Sequence, residues 1–146
     1  MTVHLIKLCV GADSIADLEN WIAVRQAERA RLGRPAEQVH TTRMSPRRRD
    51  DLLDGGSLYW VIRGMIQCRQ RLTDIRSVVG DDGIDRCELV MEPRVVPVVP
   101  RPRGPFQGWR YLEAREAPAD FGADGAGDTA TMPEGLRREL AALGLL

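Results

Sequence analysis

The sequence predicts one small mixed α+β domain, a curled mixed β-sheet or barrel flanked by two or three helices. Three observations carry that expectation. Apolar spacing switches from strand-like to helical near Asp13 and Ser14, and returns to strand-like near Val39. From Ser57 to Val99 the chain holds only strand-like runs divided by turn residues. At 146 residues it is long enough for one core and short for two.

The elements follow in order. Val3 to Val10 is apolar on both faces except at His4 and Lys7, as an interior strand would be. Ser14, with Asp17 three residues on, supplies a helix N-terminus, and Ile15, Leu18 and Ile22 recur at helical spacing. That helix is expected over residues 15–31, ended by Gly33 and Pro35. Val39 to Met44 alternates as a short strand. The stretch SPRRRDDLLDGG then predicts a brief helix, with Ser45 as N-cap, Pro46 in its first turn and Gly55-Gly56 as its stop.

Ser57 to Arg63 and Met65 to Ile75 predict a hairpin around Arg63-Gly64. Simple alternation in the second strand sets Ile66, Cys68 and Leu72 on one face, opposite Gln67, Arg69 and Arg71. Asp81-Asp82-Gly83 marks a turn, and Ile84 to Met91 and Val95 to Val99 give two more strands. Pro93, Pro97 and Pro100 place the last of these at a sheet edge, because proline cannot donate to a ladder. Residues 1–121 are expected to form a single α/β domain. Residues 122–146 read as a linker and a C-terminal helix, with Leu136, Leu140 and Leu143 on one stripe, either packed on the domain or mobile.

Composition narrows the function classes. A hydrophobic fraction of 43% and a charged fraction of 29% belong to an ordinary globular chain. No apolar run approaches the roughly 20 residues of a membrane span, and no membrane partner is expected. The opening MTVHLIKLCVGADS is interrupted by His4 and Lys7 and lacks a small-residue cleavage site, so it reads as a strand and not as a leader. Cys9, Cys68 and Cys87 are odd in number and without CxxC spacing, which points to buried thiols in a reducing cytoplasm.

Net charge is zero but unevenly spread: residues 43–110 carry thirteen arginines and nine acids, residues 111–146 three arginines and seven acids. The basic residues comprise twenty arginines and one lysine, Lys7. Arginine gives planar, bidentate contacts to phosphate and stacks on rings. No phosphate loop, GxSxG or HExxH is present, and no cofactor or metal is expected.

Two stretches are candidates for function. SPRRR gathers Arg47, Arg48 and Arg49, with Arg43 just upstream; it could hold a phosphate, or its charge could be neutralised by Asp50, Asp51 and Asp54. GPFQGWRYL holds three of the chain's seven aromatics, interleaved with Gln107 and Arg110. Its aromatics fit the closure of a barrel, and its polar members fit a groove. Tyr59 and Trp60, adjacent on a strand, must point to opposite faces.

The segments HLIKLCVGADSI, TRMSPRR, DGGSLYWVIRG and PFQGWRYL together resemble an uncharacterised family of small bacterial proteins, over roughly residues 3–120. A fainter resemblance is to PUA-like domains of the EVE and ASCH branches. It lies in Leu53-Asp54-Gly55-Gly56 followed by Leu58-Tyr59-Trp60-Val61, and in Arg63-Gly64-Met65-Ile66 followed by Leu72-Thr73-Asp74-Ile75. Those branches usually carry Gly-Asp where this chain has Asp54-Gly55. The PUA-like likeness implies binding of RNA or a modified base.

The expectation is therefore a binding module for RNA or a phosphorylated small molecule, acting as monomer or homodimer. Arg43, Arg47 and Arg48 would hold phosphate; Tyr59, Gln107, Trp109 and Arg110 would line the groove. Two alternatives stay open: a small-molecule enzyme with His40 as its acid–base group, and a protein-interaction module presenting an aromatic patch.

Overall fold

In the computed structural model, which describes residues 1–121, the chain forms one curled seven-stranded mixed sheet with two α-helices. Its elements are β1 (Val3–Leu8), α1 (Ile15–Arg31), β2 (Gln38–Thr42), α2 (Arg49–Leu53), β3 (Ser57–Ile62), β4 (Met65–Val79), β5 (Asp85–Met91), β6 (Val96–Pro102) and β7 (Trp109–Glu113). A 3₁₀ turn, Ala114–Glu116, follows β7. The strand order is β2-β5-β4-β3-β1-β7, with β6 also on β4. Only β1 and β3 run parallel, which the α1 crossover allows; the other pairs are antiparallel.

The sheet carries a core on each face, which explains why β3 is apolar throughout. On one face Val3, Leu5, Leu58, Trp60, Ile62, Cys68, Leu89 and Met91 pack with Ile15, Leu18 and Ile22 of α1 and Leu52 of α2. On the other, Ile6, Tyr59, Val61, Ile66, Val98 and Leu112 pack together beneath Leu8, Phe106 and Ala117. Both Tyr59 and Trp60 are thus buried, on opposite faces, at 4% exposure each. The three thiols are buried and unbonded.

Helix α1 spans the residues expected. The Ser14 hydroxyl accepts from the Asp17 amide at 3.1 Å, and the Asp17 carboxylate accepts from the Asp13 amide at 3.0 Å. The Arg63-Gly64 hairpin also forms, with positive φ at both residues (53° and 74°), as a two-residue turn matched to strand twist requires.

Two local expectations need correction. Ser45 and Pro46 do not start α2: it begins at Arg49, because the Tyr111 hydroxyl accepts from the amides of Arg47 and Arg48 at 2.8 and 3.1 Å and holds that stretch in a turn. Ile66 does not share a face with Cys68 and Leu72. The ladder slips between Ile66 and Cys68 and again between Leu72 and Asp74, and the first slip turns Ile66 to the opposite core.

The sheet curls without closing into a barrel. Strands β2 and β7 are its two ends and share no backbone ladder. Side chains bridge them instead: Trp109 Nε1 donates to the Met44 carbonyl at 2.9 Å, and Tyr111 takes the two amides already described. A seam results, pinned at one end and open at the other. The other edge strand, β6, is covered by residues 117–121, where Arg69 holds Asp120 through two hydrogen bonds of 2.7 Å. No described helix is long and apolar enough to cross a membrane. The expected helix carrying Leu136, Leu140 and Leu143 lies outside the described residues.

Candidate functional site

The seam encloses a pocket of about 290 Å³. Strand β2 and its C-terminal extension supply His40, Thr41, Thr42, Arg43 and Met44. The approach to β7 supplies Gln107, Gly108, Trp109 and Arg110, and β1 supplies Lys7. A second lobe of about 160 Å³ adjoins it and shares Lys7 and His40 as walls. Trp21 and Arg25 of α1, Cys9, Gln38 and Trp60 line that lobe among others.

The electrostatics of this groove are one-sided. Lys7, Arg25, Arg43 and Arg110 line its two lobes, and no aspartate or glutamate does. Among the described residues no carboxylate lies within ion-pair distance of any of the four. Lys7 is the most informative of them. It points from β1 to the same face as Val3 and Leu5 and is half-buried there. A half-buried ammonium that no carboxylate neutralises leaves its charge available to an anion entering the pocket.

His40 stands between the lobes, edge-on to Trp60 with ring centroids 5.5 Å apart. Burial, and then the charges of Lys7 and Arg25, push its pKa down to about 4, so the imidazole is neutral at pH 7. Burial pushes the Cys9 thiol up to about 11. A thiolate–imidazolium pair would need the opposite shifts, so these two residues are not poised for cysteine nucleophilic chemistry. Among the described residues no three His, Cys, Asp or Glu side chains assemble as metal donors.

The structure brings together four of the seven residues expected at the site. Arg43 lines the pocket with its guanidinium exposed. Gln107 and Trp109 line it too, though Trp109 is a wall: it is 8% exposed, stacks edge-on with Tyr111 and spends its N–H on Met44. Arg110 lines it while donating to the carbonyls of Gln107 and Trp109 and lying over Phe106.

The other three are placed elsewhere. Arg48 fastens the seam, with Asp51 at 3.1 Å, Glu113 at 3.0 Å and the Tyr111 ring beneath it. Arg47 is exposed beside it, and its neighbour Arg49 is paired with Asp74. Tyr59 sits in the second core, against His4. The aromatics of GPFQGWRYL are all at least half-buried, so they form no exposed patch.

Sequence reasoning did not assign Lys7 or Arg25 to the site. Its available signal was the single lysine of the chain, standing inside an otherwise apolar strand.

The family model described as "Protein of unknown function (DUF1489)" matches residues 5–146, and the chain belongs to that family. No curated protein matches it, and no solved structure does.

Proposed function

We propose that this member of the DUF1489 family is a binding module for a phosphorylated ligand, taken into the seam pocket. Lys7 carries the reading: a half-buried lysine at the pocket wall whose counter-charge no described residue supplies. Arg43 would share the phosphate from just beyond β2, and the amide of Gln107 and the hydroxyl of Thr41 add uncharged donors, while Thr42 spends its hydroxyl on the Met44 carbonyl at 3.0 Å. RNA, which the PUA-like resemblance implies, is one source of such a phosphate; a free phosphorylated small molecule is another. The cytoplasm is the expected setting. Binding fits the lining better than catalysis, because the pocket has neutral His40 but no carboxylate beside it.

Hydrogen bonds to charged groups contribute about 1.5–3 kcal/mol each, or roughly 10- to 100-fold in affinity. Titration calorimetry with inorganic pyrophosphate and with a 5′-phosphorylated single-stranded RNA tests the reading. Lys7→Met is expected to weaken both by that factor with the melting temperature held, since the half-buried ammonium it removes has no ion-pair partner among the described residues. The RNA arm should show the steeper salt dependence if RNA is the source. Wild-type protein that binds neither probe overturns the reading, as does an affinity indifferent to Lys7.

A further inference from the structure

We propose that the second lobe receives a flat, hydrogen-bonding ring, so that the ligand is a nucleotide whose phosphate lies in the seam and whose base lies against Trp21. The inference rests on the phosphate reading above and adds the identity of the group attached to it.

Three observations place a base there. The lobes share Lys7 and His40 as walls, so a phosphate in the seam and a ring in the second lobe would lie against the same two side chains. Trp21 is 40% exposed, although it is a large aromatic on a helix whose neighbours Leu18 and Ile22 are buried. Its ring is backed by Gly11, where even a methyl group would come within 3.3 Å of Cη2, so close backbone approach fixes the indole against the lobe. Indole faces are stacking platforms for any base.

The third observation is Gln38. It is 5% exposed, lines the lobe, and its side-chain amide makes no hydrogen bond with the described residues. Its amide atoms are not sealed from solvent, so they offer a ligand in the lobe two donors and two acceptor positions. The edge of a nucleobase offers complementary donors and acceptors. A purely aliphatic group would cover Trp21 but leave Gln38 unanswered.

The test compares ribose 5-phosphate with the four common nucleoside 5′-monophosphates by calorimetry, in wild type, Trp21→Ala, Gln38→Leu and Lys7→Met. At least one nucleotide should bind wild type about tenfold tighter than ribose 5-phosphate, in line with base stacking of roughly 1–3 kcal/mol. Trp21→Ala should erase that margin and leave ribose 5-phosphate unchanged. Gln38→Leu should flatten any preference among the bases, and Lys7→Met should weaken every probe. Circular dichroism confirms that each variant is folded. Equal binding of ribose 5-phosphate and all nucleotides, or a margin that survives Trp21→Ala, overturns the base lobe while the phosphate reading stands. If no probe binds wild type, both fall.

Discussion

Replacing Gly56 by alanine should destabilise the domain by about 3 kcal/mol or more, at the upper end of overpacking effects. Gly56 joins α2 to β3 at the point where the chain passes under β1. A Cβ there would stand 2.3 Å from the Leu52 carbonyl oxygen and 2.4 Å from that of Val3. Both are main-chain atoms, so no side chain can swing aside. The same residue donates its amide to Leu52 at 2.9 Å, and its carbonyl accepts from Leu72 at 3.0 Å. Relief therefore means shifting α2 away from the sheet and straining both bonds. Gly64 is the control: its φ of 74° penalises alanine, but nothing lies within 4 Å of the added methyl. Gly64→Ala should cost only about 1–2 kcal/mol. Urea titration of both variants checks the pair, and equal losses would mean that steric contact at Gly56 is not what constrains it.

Trp60→Ala should cost about 3–5 kcal/mol, as truncations of large buried aromatics do. Trp60 is 4% exposed at the centre of the first core. Its Nε1 donates to Gln70 Oε1 at 2.9 Å, and Gln70 Nε2 donates on to the Glu92 carbonyl at 2.9 Å. Gln70 is fully buried, so water cannot replace the lost partner. Trp60→Phe isolates that second effect. It keeps most of the ring volume but orphans Gln70 Oε1, for an expected loss of about 1–3 kcal/mol. A Trp60→Phe variant as stable as wild type would remove the polar relay from the explanation of the core.

Local signals were enough wherever the physics is local. Helix α1 was legible because Ser14 and Asp17 cap it and Ile15, Leu18 and Ile22 share its buried face. The hairpin at Arg63-Gly64 was legible from its turn residues and flanking apolar runs. Expectations failed where a partner distant in sequence decides. The turn at Arg47 and Arg48 depends on Tyr111, more than sixty positions away. The face of Ile66 depends on how β4 is shared between β3, β5 and β6, and strand alternation contains no sign of that slip. Tyr59 looked available for a groove because nothing in DGGSLYWVIRG reveals that β6 and Phe106 cover its face.

The candidate site shows the same division. Arg43, Gln107, Trp109 and Arg110 stood out by the clustering of arginine and aromatics, and the curl of the sheet brings them together. Lys7 and Arg25 come from the other end of the chain and join them only through the sheet order, with β1 beside β7 and α1 crossing to β2. The charge blocks of the sequence were a poorer guide. SPRRR is the densest run of arginine, yet Arg48 and Arg49 are spent on Asp51, Glu113 and Asp74.

The most direct measurement of an anion in the seam is the titration of His40 by NMR, with and without saturating pyrophosphate. The chain has two histidines, so Gln substitution at His40 assigns the signals. In the free protein burial, Lys7 and Arg25 hold the His40 pKa at about 4. Phosphate between those cations offsets their repulsion and favours the imidazolium, so the bound pKa must rise. By linkage, binding then takes up a proton on His40, and this contribution tightens binding as pH falls through the bound pKa, about 5 for a one-unit rise, towards the free value of about 4. The expected result is an upward shift of His40 by about one unit or more, with His4, which lies on the other face beside Tyr59, unmoved. A His40 pKa unchanged under saturating pyrophosphate would contradict anion binding in this pocket.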